Sequence, residues 1–136
     1  MPDARQLLSQ DRFAAHTGIA LESVDAGHAR ARLRVRPEHL NGVGIVQGGV
    51  IFTLADFAFA AAANSTGSVA VAIDVSISFL KAVTAGELVA EAREEAAAGR
   101  TSTSLVRVTD ETGALVALFK GTAYRKRDGA GGAPRA

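Results

Sequence analysis

An apolar run at residues 48–65 constrains the fold of this chain more than any other feature. It follows a polar, glycine-rich loop at residues 39–47, and it provides about four turns of α-helix. Asp56 is the only formal charge between Glu38 and Asp74. A helix that is apolar on every face belongs in the interior of a protein. A membrane span is excluded, because the run is too short and has a charge near its middle.

Asp56 is the most informative residue of this run. Burying a lone carboxylate costs free energy unless the group is paired or hydrogen-bonded, so its presence needs a reason. Apolar surroundings raise the pKa of a carboxyl group toward the range that is useful for a general base. A structural role, in which Asp56 accepts hydrogen bonds at a subunit interface, is the alternative at this point.

Length and composition describe one ordinary globular domain and exclude several kinds of function. The 136 residues are 48% apolar and 21% charged, with a net charge of +1, so neither nucleic acid nor a membrane is expected as a partner. The chain has no cysteine, and its three histidines, His16, His28 and His39, lack metal-ligand spacing. We therefore expect no metal and no cofactor. The N-terminus has no apolar signal core, which predicts a cytoplasmic protein.

Six segments around the apolar run have the two-residue period or the turn boundaries of β-strands. They are residues 18–24, 29–36, 69–79, 87–98, 101–109 and 114–125. Residues 87–98 also have a helix-favouring composition, but tight turns and other strands surround them, so we predict a strand. Strands joined by hairpin-length turns, with one apolar helix at about residues 48–65, predict an α+β fold. In this fold an antiparallel sheet wraps around the central helix.

The residues on one face of each of two predicted strands indicate what those faces contact. In the second strand, Arg30, Arg32, Arg34 and Arg36 alternate with small or apolar residues. They form either a phosphate-docking surface or, as we favour, the solvated face of a strand. The even positions of residues 69–79 are small and mildly polar, which suits contact with another subunit as well as with water.

The chain ends are predicted to lie outside the main domain. The predicted division is an N-terminal segment at residues 1–15, one domain at residues 16–125, and a disordered tail at residues 126–136. The first segment can form a short helix, with Leu7, Leu8 and Phe13 facing inward.

The loop and helix start resemble a known family. The string Asn-x-x-Gly-x-x-Gln-Gly-Gly, followed by an acid seven positions after the second glycine, is similar to the motif of hotdog-fold acyl-CoA thioesterases. The nearest group is the one associated with phenylacetate degradation, the PaaI type. The residues that match this motif in type and spacing are Asn41, Gly44, Gly48, Gly49 and Asp56. Gln47 departs from it, because the family usually has histidine there.

The resemblance implies hydrolysis of acyl-CoA thioesters, with aryl-acyl substrates such as phenylacetyl-CoA and a role in phenylacetate catabolism. It implies that Asp56 activates or orients water, that the Gly48 amide and Asn41 hold the thioester carbonyl, and that Gln47 and Gly49 contact the substrate. It also implies a homo-oligomer, a dimer or a tetramer. Glutamine cannot take up a proton at neutral pH, so a protein that binds acyl-CoA without turnover is the alternative.

Helix geometry predicts that the active unit is at least a homodimer. Gly49 and Asp56 are seven residues apart, so they lie on nearly the same helix face but about 10 Å apart along the axis. The oxyanion donor and the acid must both act within about 3 Å of groups on one carbonyl carbon. Two antiparallel copies would place the glycine of one chain near the aspartate of the other. We therefore expect Asn41 and Gly48 of one chain to face Asp56 of its partner.

Overall fold

The computed structural model describes residues 3–126 of the chain. In chain order the elements are α1 (Ala4–Leu8), α2 (Arg12–Thr17), β1 (Ile19–Asp25), β2 (His28–Arg34), a 3-10 turn (Pro37–His39), α3 (Gly48–Ala63), β3 (Ala70–Phe79), β4 (Glu87–Ala98), β5 (Thr101–Thr109) and β6 (Leu115–Arg125). All six predicted strands are present, each within two residues of its predicted bounds, and the central helix begins where it was predicted to begin.

The six strands form one antiparallel sheet in the order β1-β2-β4-β5-β6-β3. The fold class predicted from the sequence is confirmed. β4 is a strand despite its helix-favouring composition, because it pairs with β2 on one side and β5 on the other. Its inward-facing residues, Leu88, Ala90 and Ala92, are fully buried. Tertiary pairing thus overrides the local helix propensity.

α3 contacts all six strands, so the sheet wraps around the helix. Small side chains on the inner face of the sheet let the helix backbone approach closely, among them the fully buried Ala29, Ala31, Ala90 and Ala92. Leu54 and Phe59 of α3 and Phe119 of β6 fill the core between helix and sheet, and none of them is more than 1% exposed. Phe59 and Phe119 lie with ring centroids 5.6 Å apart. This packing fixes the position of the helix on the sheet.

The side chains along one side of α3 are only partly buried. The expectation that every face of this helix is buried is therefore wrong for that side. Its residues recur every three or four positions and are Gly49, Phe52, Thr53, Asp56 and Ala60. Gly49 is exposed and the others are half-buried. Three- and four-residue spacing places all of them on one side of the helix. We call this set the open stripe, and it contains the lone carboxylate.

The N-terminal segment forms two short helices, because Asp11 starts a second one by accepting a hydrogen bond from the Ala14 N–H. Leu8 and Ala14 are buried against the core and Leu7 is half-buried. The inward placement predicted for Phe13 is wrong, since this side chain is 66% exposed. At the other end, Lys126 donates its backbone N–H to the Val69 carbonyl, and the rest of the predicted tail, residues 127–136, lies outside the described residues.

The arginines of β2 lie among carboxylates. Arg32 donates to both Glu87 and Glu22 at 2.8 Å, and Arg30 lies 3.6 Å from Glu91. Because these carboxylates neutralise the arginines, we interpret this surface as the solvated face of the strand rather than as a phosphate-binding site. Arg36, two residues beyond β2, also lies beside a carboxylate, with its Nε 3.1 Å from Glu38, and its Nη2 donates to the carbonyls of His16 and Thr17.

β3 is an edge strand, and it exposes apolar side chains. Val71, Ile73 and Phe79 are 44%, 59% and 53% exposed. A shift in register between Ala72 and Asp74 interrupts the predicted alternation at Ile73. An exposed apolar edge strand is a surface for pairing with another chain. Within residues 3–126, no helix combines the length and the apolar character that a membrane crossing requires.

Candidate active site

Asn41 organises the loop that precedes α3. Its Oδ1 accepts hydrogen bonds from the Val43 N–H at 3.0 Å and the Ile45 N–H at 3.2 Å. Its carbonyl accepts from the Gly44 N–H, and Gly44 has a φ of +84°, which favours glycine. The side-chain oxygen therefore holds the loop. The Nδ2 group donates no hydrogen bond to residues 3–126, and it remains available for a ligand.

Gln47 caps the first turn of α3. Its Oε1 accepts a hydrogen bond from the Gly49 N–H at 2.8 Å. The next backbone donors, Val50 and Ile51, bond to the Gln47 carbonyl. The Gly48 N–H has no hydrogen-bond partner among the described residues. Because the positive end of the helix dipole lies here, this amide can bind an oxygen that carries negative charge.

Asn41 and Gly48 line one cleft of about 360 Å³, which we call the Phe79 cleft. Its other lining residues are Ile45, Val46, Ile51, Phe79, Leu80, Lys81, Ala82 and Val83. A Cβ at position 48 would lie 3.1 Å from Phe79 Cζ, so the absence of a side chain there lets the ring approach the helix start. Lys81 at the cleft is paired with Asp110. Lys81 was not predicted from the sequence as a site residue.

Gln47 and Gly49 lie on a second cleft of about 350 Å³, which we call the Phe13 cleft. Phe13, Thr17, Val50, Phe52 and Thr53 complete its lining. The structure thus brings Asn41 and Gly48 together in one cleft and places Gln47 and Gly49 in another.

Asp56 lines neither cleft. It lies on the open stripe, and no hydrogen bond or ion pair joins its carboxylate to residues 3–126. Burial raises the pKa of Asp56, and the negative charge of Asp11 raises it further. An unpaired carboxylate with a raised pKa is a candidate general base, but within one chain it is separated from the donors at the helix start.

His39 holds the loop against the N-terminal helices. It is only 3% exposed; its Nδ1 accepts from the Arg36 N–H at 2.9 Å and its Nε2 donates to the Thr17 carbonyl at 2.7 Å. Its own carbonyl accepts from the Gln47 N–H. The sequence places His39 at the start of the polar loop and gives no sign of this burial. His39 instead connects α2 to the start of α3.

Comparison with known proteins places this fold and motif in a family. Residues 43–117, more than half of the chain, match the family model described as the thioesterase superfamily. The chain belongs to the thioesterase superfamily. The predicted resemblance to hotdog-fold thioesterases is thereby confirmed, and so is the prediction of a thioester hydrolase.

Individual members of the superfamily align over most of the chain. The acyl-coenzyme A thioesterase PaaI of Escherichia coli K12 is 36% identical over 90% of this chain and 89% of its own. Its structure, described as the PaaI protein from the phenylacetic acid degradation operon, matches with a TM-score of 0.87 over 90% of each chain at 35% identity.

Two further proteins extend the comparison. A curated protein of Archaeoglobus fulgidus is 49% identical over 73% of this chain, and the aligned region spans 65% of that relative's length. A Streptococcus mutans UA159 protein solved bound to acetyl CoA matches with a TM-score of 0.76 and 29% identity, over 79% of this chain and 88% of that chain. Taken together, the comparisons support acyl-CoA thioesterase activity.

Proposed function

We propose that this member of the thioesterase superfamily hydrolyses acyl-CoA thioesters, in particular aryl-acyl ones such as phenylacetyl-CoA, to the free acid and CoA. The observation that carries the proposal is the unpartnered Gly48 N–H beside Asn41 in one cleft. Two hydrogen-bond donors at a helix start are what a developing oxyanion requires. The name and operon of the E. coli relative support the aryl-acyl class.

In the proposed reaction the thioester carbonyl oxygen accepts hydrogen bonds from the Gly48 N–H and the Asn41 Nδ2. The Asp56 carboxylate takes a proton from a water molecule as the water oxygen bonds to the carbonyl carbon. The carbonyl π electrons move to the oxygen, and the two donors stabilise the resulting oxyanion. When the carbonyl re-forms, the C–S bond breaks, and the proton held by Asp56 passes to the CoA thiolate. The products are the acid and CoA-SH.

We propose that Asp56 of the partner subunit serves the donors of each chain. Asp56 lines neither cleft of its own chain, and seven residues of α-helix separate it from Gly49 by about 10 Å. The open stripe and the exposed apolar edge of β3 support such pairing, because both are surfaces that a second copy can cover. Assembly into a tetramer, location in the cytoplasm and a role in phenylacetate catabolism remain predictions for this protein.

A thiol-release assay over a panel of aromatic and aliphatic acyl-CoAs tests this function. We expect CoA to be released, and fastest from arylacyl-CoAs. The second candidate function is acyl-CoA binding without turnover, which is favoured by Gln47, because an amide cannot take up a proton at neutral pH. Binding of acyl-CoA without thiol release by the wild-type protein would establish this candidate and refute hydrolysis.

Replacing Gln47 with histidine is expected to change turnover by less than about tenfold. The Gln47 side chain acts as an acceptor for the Gly49 N–H, and a neutral imidazole nitrogen can accept the same bond. The measurement is kcat for Gln47→His and the wild type on one acyl-CoA. A much larger gain would mean that residue 47 contributes charge or proton transfer, and that the present site is weakened.

The pH dependence of kcat/KM is expected to reflect the raised pKa of Asp56. The base must be ionised, so kcat/KM rises as the pH passes upward through this pKa, with a midpoint above the usual value for aspartate of about 3.9. Asp11→Asn removes the neighbouring charge that helps to raise the pKa of Asp56, and asparagine caps a helix equally well. This variant should therefore move the midpoint downward. Asp3→Asn, at the N-cap of α1, is the matched control; a midpoint that is the same in both variants contradicts the prediction.

A further inference from the structure

His39 is a buried polar side chain that has no step in the proposed reaction. It is 3% exposed, and removing an imidazole from water costs free energy unless its ring nitrogens find partners. Both do so, because Nδ1 lies 2.9 Å from the Arg36 N–H and Nε2 lies 2.7 Å from the Thr17 carbonyl. The ring thus joins two segments that are far apart in the sequence.

The two partners fix where the ring carries its hydrogen. A backbone N–H only donates and a carbonyl only accepts, so Nδ1 is bare and Nε2 carries the hydrogen. The Nη2 of Arg36 donates to the same Thr17 carbonyl at 3.0 Å. Thr17 is the last residue of α2, where a helix leaves its carbonyls without partners. The neutral His39 ring therefore helps to cap α2.

The backbone of His39 closes the loop that carries the two oxyanion donors. Its carbonyl accepts a hydrogen bond from the Gln47 N–H at 2.9 Å, and within the loop the Asn41 N–H donates to the Ile45 carbonyl at 2.8 Å. The two ends of the loop therefore meet at His39 and Gln47. Asn41 lies in this loop and Gly48 follows it directly, so the position of both donors depends on where the base of the loop lies.

The bond to Thr17 is the one that can position the loop. The bond to Arg36 spans only three residues and lies within a turn that backbone hydrogen bonds also close. The bond to Thr17 spans 22 residues and joins the base of the loop to another element, α2. On the other side, the Val46 N–H donates to the Val83 carbonyl at 2.8 Å. The loop is thus attached to α2 on one side and to the chain after β3 on the other.

We propose that His39 is a positioning residue, which through its bond to Thr17 holds the Asn41 and Gly48 donors where the oxyanion forms. This inference rests on the proposed function. The donors act on charge that develops in the transition state, so displacing the loop lowers kcat and leaves KM nearly unchanged. A displacement of about 1 Å can lower the rate by about a hundredfold.

Two amide substitutions separate the two bonds of the ring. In His39→Gln the side-chain nitrogen extends about as far as Nε2 and can still donate to Thr17. In His39→Asn the side-chain oxygen replaces Nδ1 as an acceptor for Arg36, but no atom reaches Thr17. The matched control is His16→Asn, the same replacement at an exposed histidine of α2.

The test measures kcat and KM for the acyl-CoA that the wild type hydrolyses fastest. We expect His39→Asn to lower kcat by about tenfold to a hundredfold and to change KM by less than about twofold. His39→Gln and His16→Asn should keep kcat within about threefold of the wild type. An unchanged kcat in His39→Asn, a change in KM as large as the change in kcat, or an equal loss in His39→Gln overturns the inference.

Failure of the proposed function is recognised separately, as the absence of thiol release by the wild-type protein from any acyl-CoA. In that case amide hydrogen exchange still tests whether His39 holds the loop. His39→Asn should speed exchange of the Ile45 and Gln47 N–H groups by about tenfold or more, with the amides of β5 unchanged. Unchanged exchange in the loop, or faster exchange throughout the protein, contradicts a positioning role.

Discussion

Asp56→Asn is expected to lower kcat by about a hundredfold or more, the scale of losing a general base. The substitution keeps the shape of the side chain and removes its ability to take a proton from water. Asp56 has no hydrogen-bond or ion-pair partner among the described residues, so no structural contact is lost. The measurement is steady-state thiol release by the wild type, Asp56→Asn and a control, Asp25→Asn, in which an exposed aspartate at the end of β1 is replaced.

The stability of Asp56→Asn separates a catalytic effect from a folding defect. Burial raises the pKa of Asp56 in the folded state, so the folded protein binds this proton more tightly than the unfolded chain. The stability associated with the proton is present at low pH and is lost as the pH rises through the raised pKa. At neutral pH the Asp56→Asn protein should therefore have a melting temperature equal to or above that of the wild type. Full turnover in a folded Asp56→Asn protein would refute the assignment of Asp56 as the base.

Two inactive variants are expected to restore activity to each other in a mixed dimer. Asn41→Asp retains an oxygen that can accept the loop N–H groups and removes the Nδ2 donor, and Asp56→Ala removes the base. Each homodimer should be nearly inactive. A heterodimer has one site with both defects and one site with neither, so it should recover about half of the wild-type dimer's activity.

The heterodimer is isolated with two different affinity tags, and its kcat is compared with those of the two parent homodimers. A heterodimer of Asn41→Asp with wild type is the matched control, because it also retains one intact site and should have about the same activity. If the purified mixed dimer stays as inactive as its parents while this control is active, the donors and the base do not come from different chains.

The candidate site could be predicted from the sequence where spacing along the chain carries the information. Asn41 and Gly48 are close together in the sequence, and a loop followed by the start of a helix brings them to one cleft. Asp56 stands out because it is the only formal charge in a long apolar stretch. His39 could not be predicted as a site-shaping residue, because its side chain bonds to the Thr17 carbonyl of α2, which is far from it along the chain.

The sequence by itself determined the strands, the central helix and the motif at its start, because two-residue and helical periods, glycine positions and turns are local properties. The tertiary structure decided the rest. Pairing on both sides made β4 a strand, and the strand order made β3 an edge. Loop closure engaged the Asn41 oxygen and left its nitrogen available. The docking of α1 and α2 exposed Phe13 and left the open stripe uncovered. These features depend on contacts between segments far apart in the chain, which no local pattern encodes.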